Sequence, residues 1–199
     1  MNSYMESCMD FSSLFADGNS FHIERSNFRI KQCKGVKTVE YIAIRENNKL
    51  YFVEAKRTAP NPDNPDNINE IFEYYQDLTE KIQQSIDMLV SKEVGVNFDD
   101  DREFPRCFNE VTFSSLKLIF LLIIRNSEKD WCDDVQTILE RKLRGTVKIW
   151  NMDVMVLTGK DAINKGFVSG LVCKQDGGAW MGYDDCPRTT CVYPNVKTL

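Results

Sequence analysis

Val39 to Arg57 reads VEYIAIRENNKLYFVEAKR, two runs of β-branched and aromatic residues around the polar stretch Glu46-Asn47-Asn48-Lys49. Such a pattern predicts a β-hairpin. The second run ends with Glu54 and Lys56 at i and i+2 of a strand, so both side chains leave one face, roughly 7 Å apart along the chain. The first run begins at another acid, Glu40, and because a hairpin brings its far ends together, Glu40 is expected beside Glu54 and Lys56. Register decides whether all three share a face. A two-residue turn at Asn47-Asn48 pairs Glu40 with Ala55 and sends its side chain to the wrong side. A loop of odd length, such as Glu46-Asn47-Asn48 with Arg45 opposite Lys49, or a bulge in the ladder brings it back, and Asn suits the left-handed position of the three-residue form.

Two carboxylates can hold a hard divalent cation that keeps several waters, and a nearby ammonium can orient a water or stabilise a crowded phosphoryl centre. The trio therefore suits phosphodiester hydrolysis. An acid, 13 residues, then Glu-Ala-Lys at the end of a hydrophobic strand resembles the PD-(D/E)XK nuclease superfamily, with Val39-Glu40 where that family usually carries Pro-Asp. The resemblance implies that Glu40 and Glu54 bind Mg²⁺ or Mn²⁺ and that Lys56 assists the attacking water. It also implies an extra upstream acid, for which Glu24 is the candidate third ligand. A polar auxiliary residue is expected on the following helix, where Gln84 is the candidate. The plain alternative for the trio is a cross-strand ion pair on a solvated hairpin.

The chain has 199 residues, 42 % of them hydrophobic and 28 % charged, with a net charge of −5. That is the composition of a soluble globular protein. The acidic balance argues against a protein that coats nucleic acid without specificity, and leaves room for a local basic face. Leu116 to Ile124 is the longest apolar run, interrupted by Lys117, and is about half the ~20 residues needed to span a bilayer. No membrane association is expected. The first residues, MNSYMESCMDFSS, show neither a basic nor an apolar leader segment, and seven scattered cysteines suit reduced thiols, so the expected location is the cytoplasm.

Along the chain, residues 1 to 20 read as a short helix or a packed arm, and Phe21 to Lys31 as a strand by its alternation. Lys31, Lys34 and Lys37 around Gly35 form a basic turn that either meets a phosphate backbone or is simply solvated. His22, the only histidine, is a candidate base or a packing residue. Thr58 to Asp66, with Pro60, Pro62 and Pro65, reads as an extended connection. Asn67 is then the expected cap of a helix whose apolar stripe runs Ile68, Ile71, Phe72, Tyr75, Leu78, Ile82, Ile86 and Leu89. Asp99-Asp100-Asp101 lacks the spacing of a calcium loop. Leu116 to Ile124 reads as a central strand buried on both faces, Trp131 to Leu143 as a helix stopped by Gly145, and Val147 to Leu157 as another strand.

The order of strand, hairpin, helix, strand, helix, strand predicts an α/β domain with a mixed central sheet flanked by helices, over residues 1–157. By the resemblance its core is restriction-endonuclease-like. Residues 158–199 form an extension in which Cys173, Cys186 and Cys191 lack the pairwise spacing of a zinc site. No glycine-rich phosphate-binding motif occurs. The expected function is a Mg²⁺- or Mn²⁺-dependent nuclease acting on DNA or RNA. The alternative is a catalytically inactive module of the same fold that binds nucleic acid or protein, alone or as a homodimer.

Overall fold

The computed structural model describes residues 4–46, 48–61, 64–96, 103–174 and 180–182. At the N-terminus β1 (Met5–Glu6) and β2 (Met9–Asp10) form a small ribbon, followed by a 3-10 turn at Ser12–Phe15. This is the packed arm and not an α-helix, with Met9, Phe11 and Leu14 buried against the main sheet. The strand expected over Phe21 to Lys31 is a correction: β3 is only Ser20–Phe21, and Phe28–Gln32 forms one π-helical turn. The cause lies in side chains that satisfy this turn's backbone. Glu103 accepts hydrogen bonds from the amides of Asn27 and Phe28, and Ser26 Oγ accepts one from Arg29 N–H, as capping groups do at a helix start.

β4 (Tyr41–Arg45) and β5 (Lys49–Lys56) form the hairpin, paired with Arg45 opposite Lys49 and Tyr41 opposite Val53. The loop between them therefore has the expected odd length, and Glu46 (φ 46) and Asn48 (φ 70) both take left-handed conformations. After β5 comes a 3-10 turn at Pro65–Asn67, whose Asn64 side chain accepts from Asp66 N–H. Asn64 thus caps the entry; Asn67 precedes the helix without a side-chain cap. Helix α1 (Ile68–Glu93) buries Tyr75, Leu78, Ile82, Ile86 and Leu89, at about 1.5–3 kcal/mol for each large side chain removed from water. At its start Ile68 and Phe72 are 66 % and 60 % exposed, while Ile71 packs on the core.

The short α2 (Arg106–Glu110) leads to β6 (Lys117–Ile124), which runs parallel to β5 and is buried from Leu118 onward. Helix α3 (Lys129–Lys142) matches expectation, but Gly145 does not end it, because α4 (Arg144–Trp150) follows almost directly. The expected strand over Val147 to Leu157 is thus half helix: β7 is Asp153–Thr158. Val147 and Trp150, three apart, pack on the core while Ile149 points outward, so the period was helical. Asn151 at φ 46 ends α4.

The outcome is a five-stranded mixed sheet ordered β3-β4-β5-β6-β7, antiparallel through β5 and parallel from there. One face, with Ile42, Phe52, Phe120 and Val154, packs beneath α1 and α3. The opposite face, with Tyr41, Tyr51, Val53 and Leu121, is covered by the N-terminal arm and by α5 (Gly159–Asn164) with Phe167 and Val168. β8 (Gly170–Lys174) then pairs with β2, and β9 (Trp180–Gly182) with β8, so the described residues beyond 158 continue the packed body. Asp99 to Asp101, Cys186 and Cys191 lie outside the described residues. Among the described residues no helix is long and apolar enough to cross a membrane, and Cys8, Cys33, Cys107 and Cys132 are free thiols.

Candidate functional site

Continuing the hairpin register one residue past Tyr41 and Val53 sets Glu40 opposite Glu54. Both belong to the face beneath α1, and so does Lys56, two residues further along β5. Glu40 has left the β4 ladder, and its carboxylate takes the place of the missing backbone partner: Oε2 accepts a hydrogen bond from Ala55 N–H at 2.6 Å. The carbonyl of Ala55 is taken in turn by Ser7 Oγ at 3.0 Å. Two side chains thus finish the edge of β5 where its neighbouring strand ends.

Helix α1 places the approach to Glu40. Gln84 Oε1 accepts from Lys37 N–H at 2.7 Å, and Ser85 Oγ accepts from Val39 N–H at 3.0 Å while donating to the Lys81 carbonyl. Gln84 therefore acts on the chain leading to Glu40 and does not touch the carboxylates. The amine of Lys37 is held between Asp77 (3.2 Å) and Glu80 (2.8 Å), which ties this lysine of the basic turn to the helix.

Glu54 is fully buried and carries two cations on one oxygen. Lys81 Nζ lies 2.7 Å and Lys56 Nζ 3.0 Å from its Oε1, while Oε2 is buried without a hydrogen-bond partner. Tyr74 on α1 also buries its hydroxyl unpartnered, and Glu54 is among the charges acting on it. Lys81 is 13 % exposed and Lys56 26 %, so Lys56 stands toward the rim. There it also meets Asp77 at 3.5 Å.

Burial, reinforced by the neighbouring Glu54 charge, holds the Glu40 carboxyl well above the usual carboxylate range; Lys81 opposes this. Burial works against the ammonium of Lys56, but Glu54 and Glu40 outweigh it and keep its pKa above the ordinary lysine value. The same balance raises Lys81. For Asp77, burial is outweighed by Lys56, Lys81 and Lys37, which lower it. Both lysines are thus hydrogen-bond donors and fixed positive charges at neutral pH, not bases.

The structure brings Glu40, Glu54 and Lys56 together and leaves the other candidates apart. Glu24 acts on Glu6 and Lys81 only as a through-space charge. His22 packs edge-on against Tyr41 with both ring nitrogens buried and unpartnered, and burial lowers its pKa to about 4. Among the described residues no three His, Cys, Asp or Glu side chains are arranged to hold a metal ion.

Lys81 and Asp77 were not anticipated, yet a signal was present. The stripe continued from Leu78 puts positions 81, 82, 85, 86 and 89 on the buried face, and Lys81 and Ser85 are polar where that face calls for apolar residues. Neither a family model, nor a curated protein, nor a solved structure matches the chain. What the site can do rests on its own geometry.

Proposed function

We propose that Glu40, Glu54 and Lys56 form a metal-dependent phosphodiesterase centre, a nuclease site acting on DNA or RNA, in a sheet of the restriction-endonuclease-like kind. The observation that carries this reading is the hairpin register, which sets Glu40 across from Glu54 on the face that Lys56 also occupies. The order of antiparallel strands, long helix and parallel strand supports the same fold reading.

The residues fit a hard divalent cation in two respects. Glu54 Oε2 is a buried oxygen that no donor reaches, and burial, reinforced by the Glu54 charge, holds the Glu40 carboxyl above its usual range. Glu40 and Glu54 would hold the ion; Mg²⁺ or Mn²⁺ bound there would supply Lewis acidity to a phosphoryl oxygen and acidify a water. Lys56 keeps its proton, so it orients that water or balances charge growing on the phosphoryl oxygens and takes no proton itself.

A second reading, a catalytically inactive module of the same fold, is favoured by one feature: Lys81 already neutralises Glu54 from inside. Incubating the protein with single- and double-stranded DNA and RNA in Mg²⁺ or Mn²⁺ separates the two. The enzyme reading expects cleavage that EDTA stops and that Lys56→Ala abolishes, with a melting temperature close to wild type. Absence of cleavage under both metals leaves the binding module; undiminished cleavage by Lys56→Ala removes the lysine from the chemistry.

A further inference from the structure

Glu54 Oε1 receives two ammonium groups while Oε2, equally buried, receives no hydrogen bond. Two ammonium groups thus share one oxygen, and of the two Lys81 makes the shorter contact, 2.7 Å against 3.0 Å, and is the more deeply buried lysine. A cation held by Glu54 would meet the Lys81 ammonium at close range, and like charges in a poorly solvated pocket repel strongly. Asp77 lies one turn back on the same helix, at the i−4 position where side-chain pairs meet, and its charge already acts together with that of Lys81.

We infer that Lys81 is a resident counter-cation of Glu54, which must leave Oε1 before a divalent cation can take that oxygen, and that Asp77 receives its ammonium when it does. This rests on the metal-site reading above. In the metal-free protein Lys81 keeps a buried carboxylate paired and the strand end folded. In the loaded protein it stands at the rim beside Lys56, adding a second positive charge where a phosphate would approach. The four-carbon stem of lysine, with free rotation at each bond, suits a charge that moves between two acceptors.

The test is Mn²⁺ binding by titration calorimetry, read without substrate, on wild type, K81M, D77N and the double variant. K81M keeps the length and apolar stem and removes the charge. It is expected to bind Mn²⁺ at least ten-fold more tightly than wild type. D77N is expected to weaken binding several-fold in the wild-type background and to have no effect in K81M, since no ammonium then needs a place to go. If wild type binds Mn²⁺ and K81M binds equally or more weakly, Lys81 is not the competitor, while the metal-site reading stands. If D77N weakens binding equally in both backgrounds, Asp77 is not the acceptor. Binding by neither wild type nor K81M overturns the metal site and this inference with it. Should K81M lack a cooperative melting transition, K81Q, which also removes the charge and keeps a polar end, is measured in its place and read by the same outcomes.

Discussion

The two faces of β5 make a contrast within eight residues. Toward the arm, Tyr51, Val53 and Ala55 are apolar throughout; toward α1, Leu50 and Phe52 give way to Glu54 and Lys56. The polar groups buried on the two sides are also handled differently. Beneath α1 the charges are held by opposite charges, because a carboxylate and two ammonium groups cannot all become neutral cheaply. On the arm side His22, without a partner for either nitrogen, escapes the cost by remaining uncharged. A buried acid or base thus stays ionised only where the neighbouring layer supplies a partner.

The comparison can be broken first by truncation. Phe120→Ala, under α1, is expected to cost about 3–5 kcal/mol, and Leu121→Ala, the next residue but on the arm side, about 2–5 kcal/mol. Both are fully buried. Urea unfolding measures each; a loss well under 1 kcal/mol at Leu121 would show the arm to be loose cover and not a second core layer.

Next comes Glu54→Gln, which keeps the volume and leaves two lysines facing each other beneath α1. A loss on the order of 3 kcal/mol is expected in the same measurement, reduced to the extent that Lys56 reaches water. Stability equal to wild type would mean that the lysines are not held by this charge.

The arm side is sharpened by pH. His22 binds its proton less readily in the folded chain than in the unfolded one, with a pKa of about 4 against an ordinary 6.5, so the unfolded state binds more protons between these values. Its contribution is present above pH 6.5 and is lost as pH falls toward 4. Unfolding at pH 7 and pH 4.5 should differ more in wild type than in His22→Phe, by about 1 kcal/mol once solvent screening of this partly exposed residue is allowed for; an equal pH dependence in the two proteins rules this out.

The smallest effect is expected where α1 leaves the sheet. Phe72→Ala, at an exposed position with the Lys142 amine 5.7 Å from its ring centre, should change stability by no more than about 1 kcal/mol. A larger loss would mean that the Phe72 ring is packed and not merely bordered by Lys142.

How far these features could be read from residues alone follows from how local their causes are. Leu118 to Ile124 is apolar without interruption and is a strand buried on both faces. The hairpin itself was legible, whereas its loop length followed only from requiring Glu40 and Glu54 to share a face, which an odd loop or a bulge would each satisfy; the odd loop is what formed. Phe21 to Lys31 misled because alternation over a few residues carries no information about Glu103, a carboxylate more than 70 residues away that caps the turn. Val147 to Trp150 misled because Val and Ile favour strands while their three-residue spacing also fits a helix. Lys81 was visible as a polar interruption of a buried stripe, but its partner Glu54 becomes apparent only once α1 lies across β5.

The hydrogen bond from Ala55 N–H to Glu40 bears on how such a site would erode. Glu40 finishes a strand edge as well as facing Glu54, so selection for folding alone would retain it in a lineage that had given up catalysis. Lys56 is different: Lys81 already balances Glu54, and the rim position asks little of packing. If Lys56 serves the proposed chemistry, then between two descendants of this chain that no longer used it the lysine would be the first residue to drift, and the acid among the last.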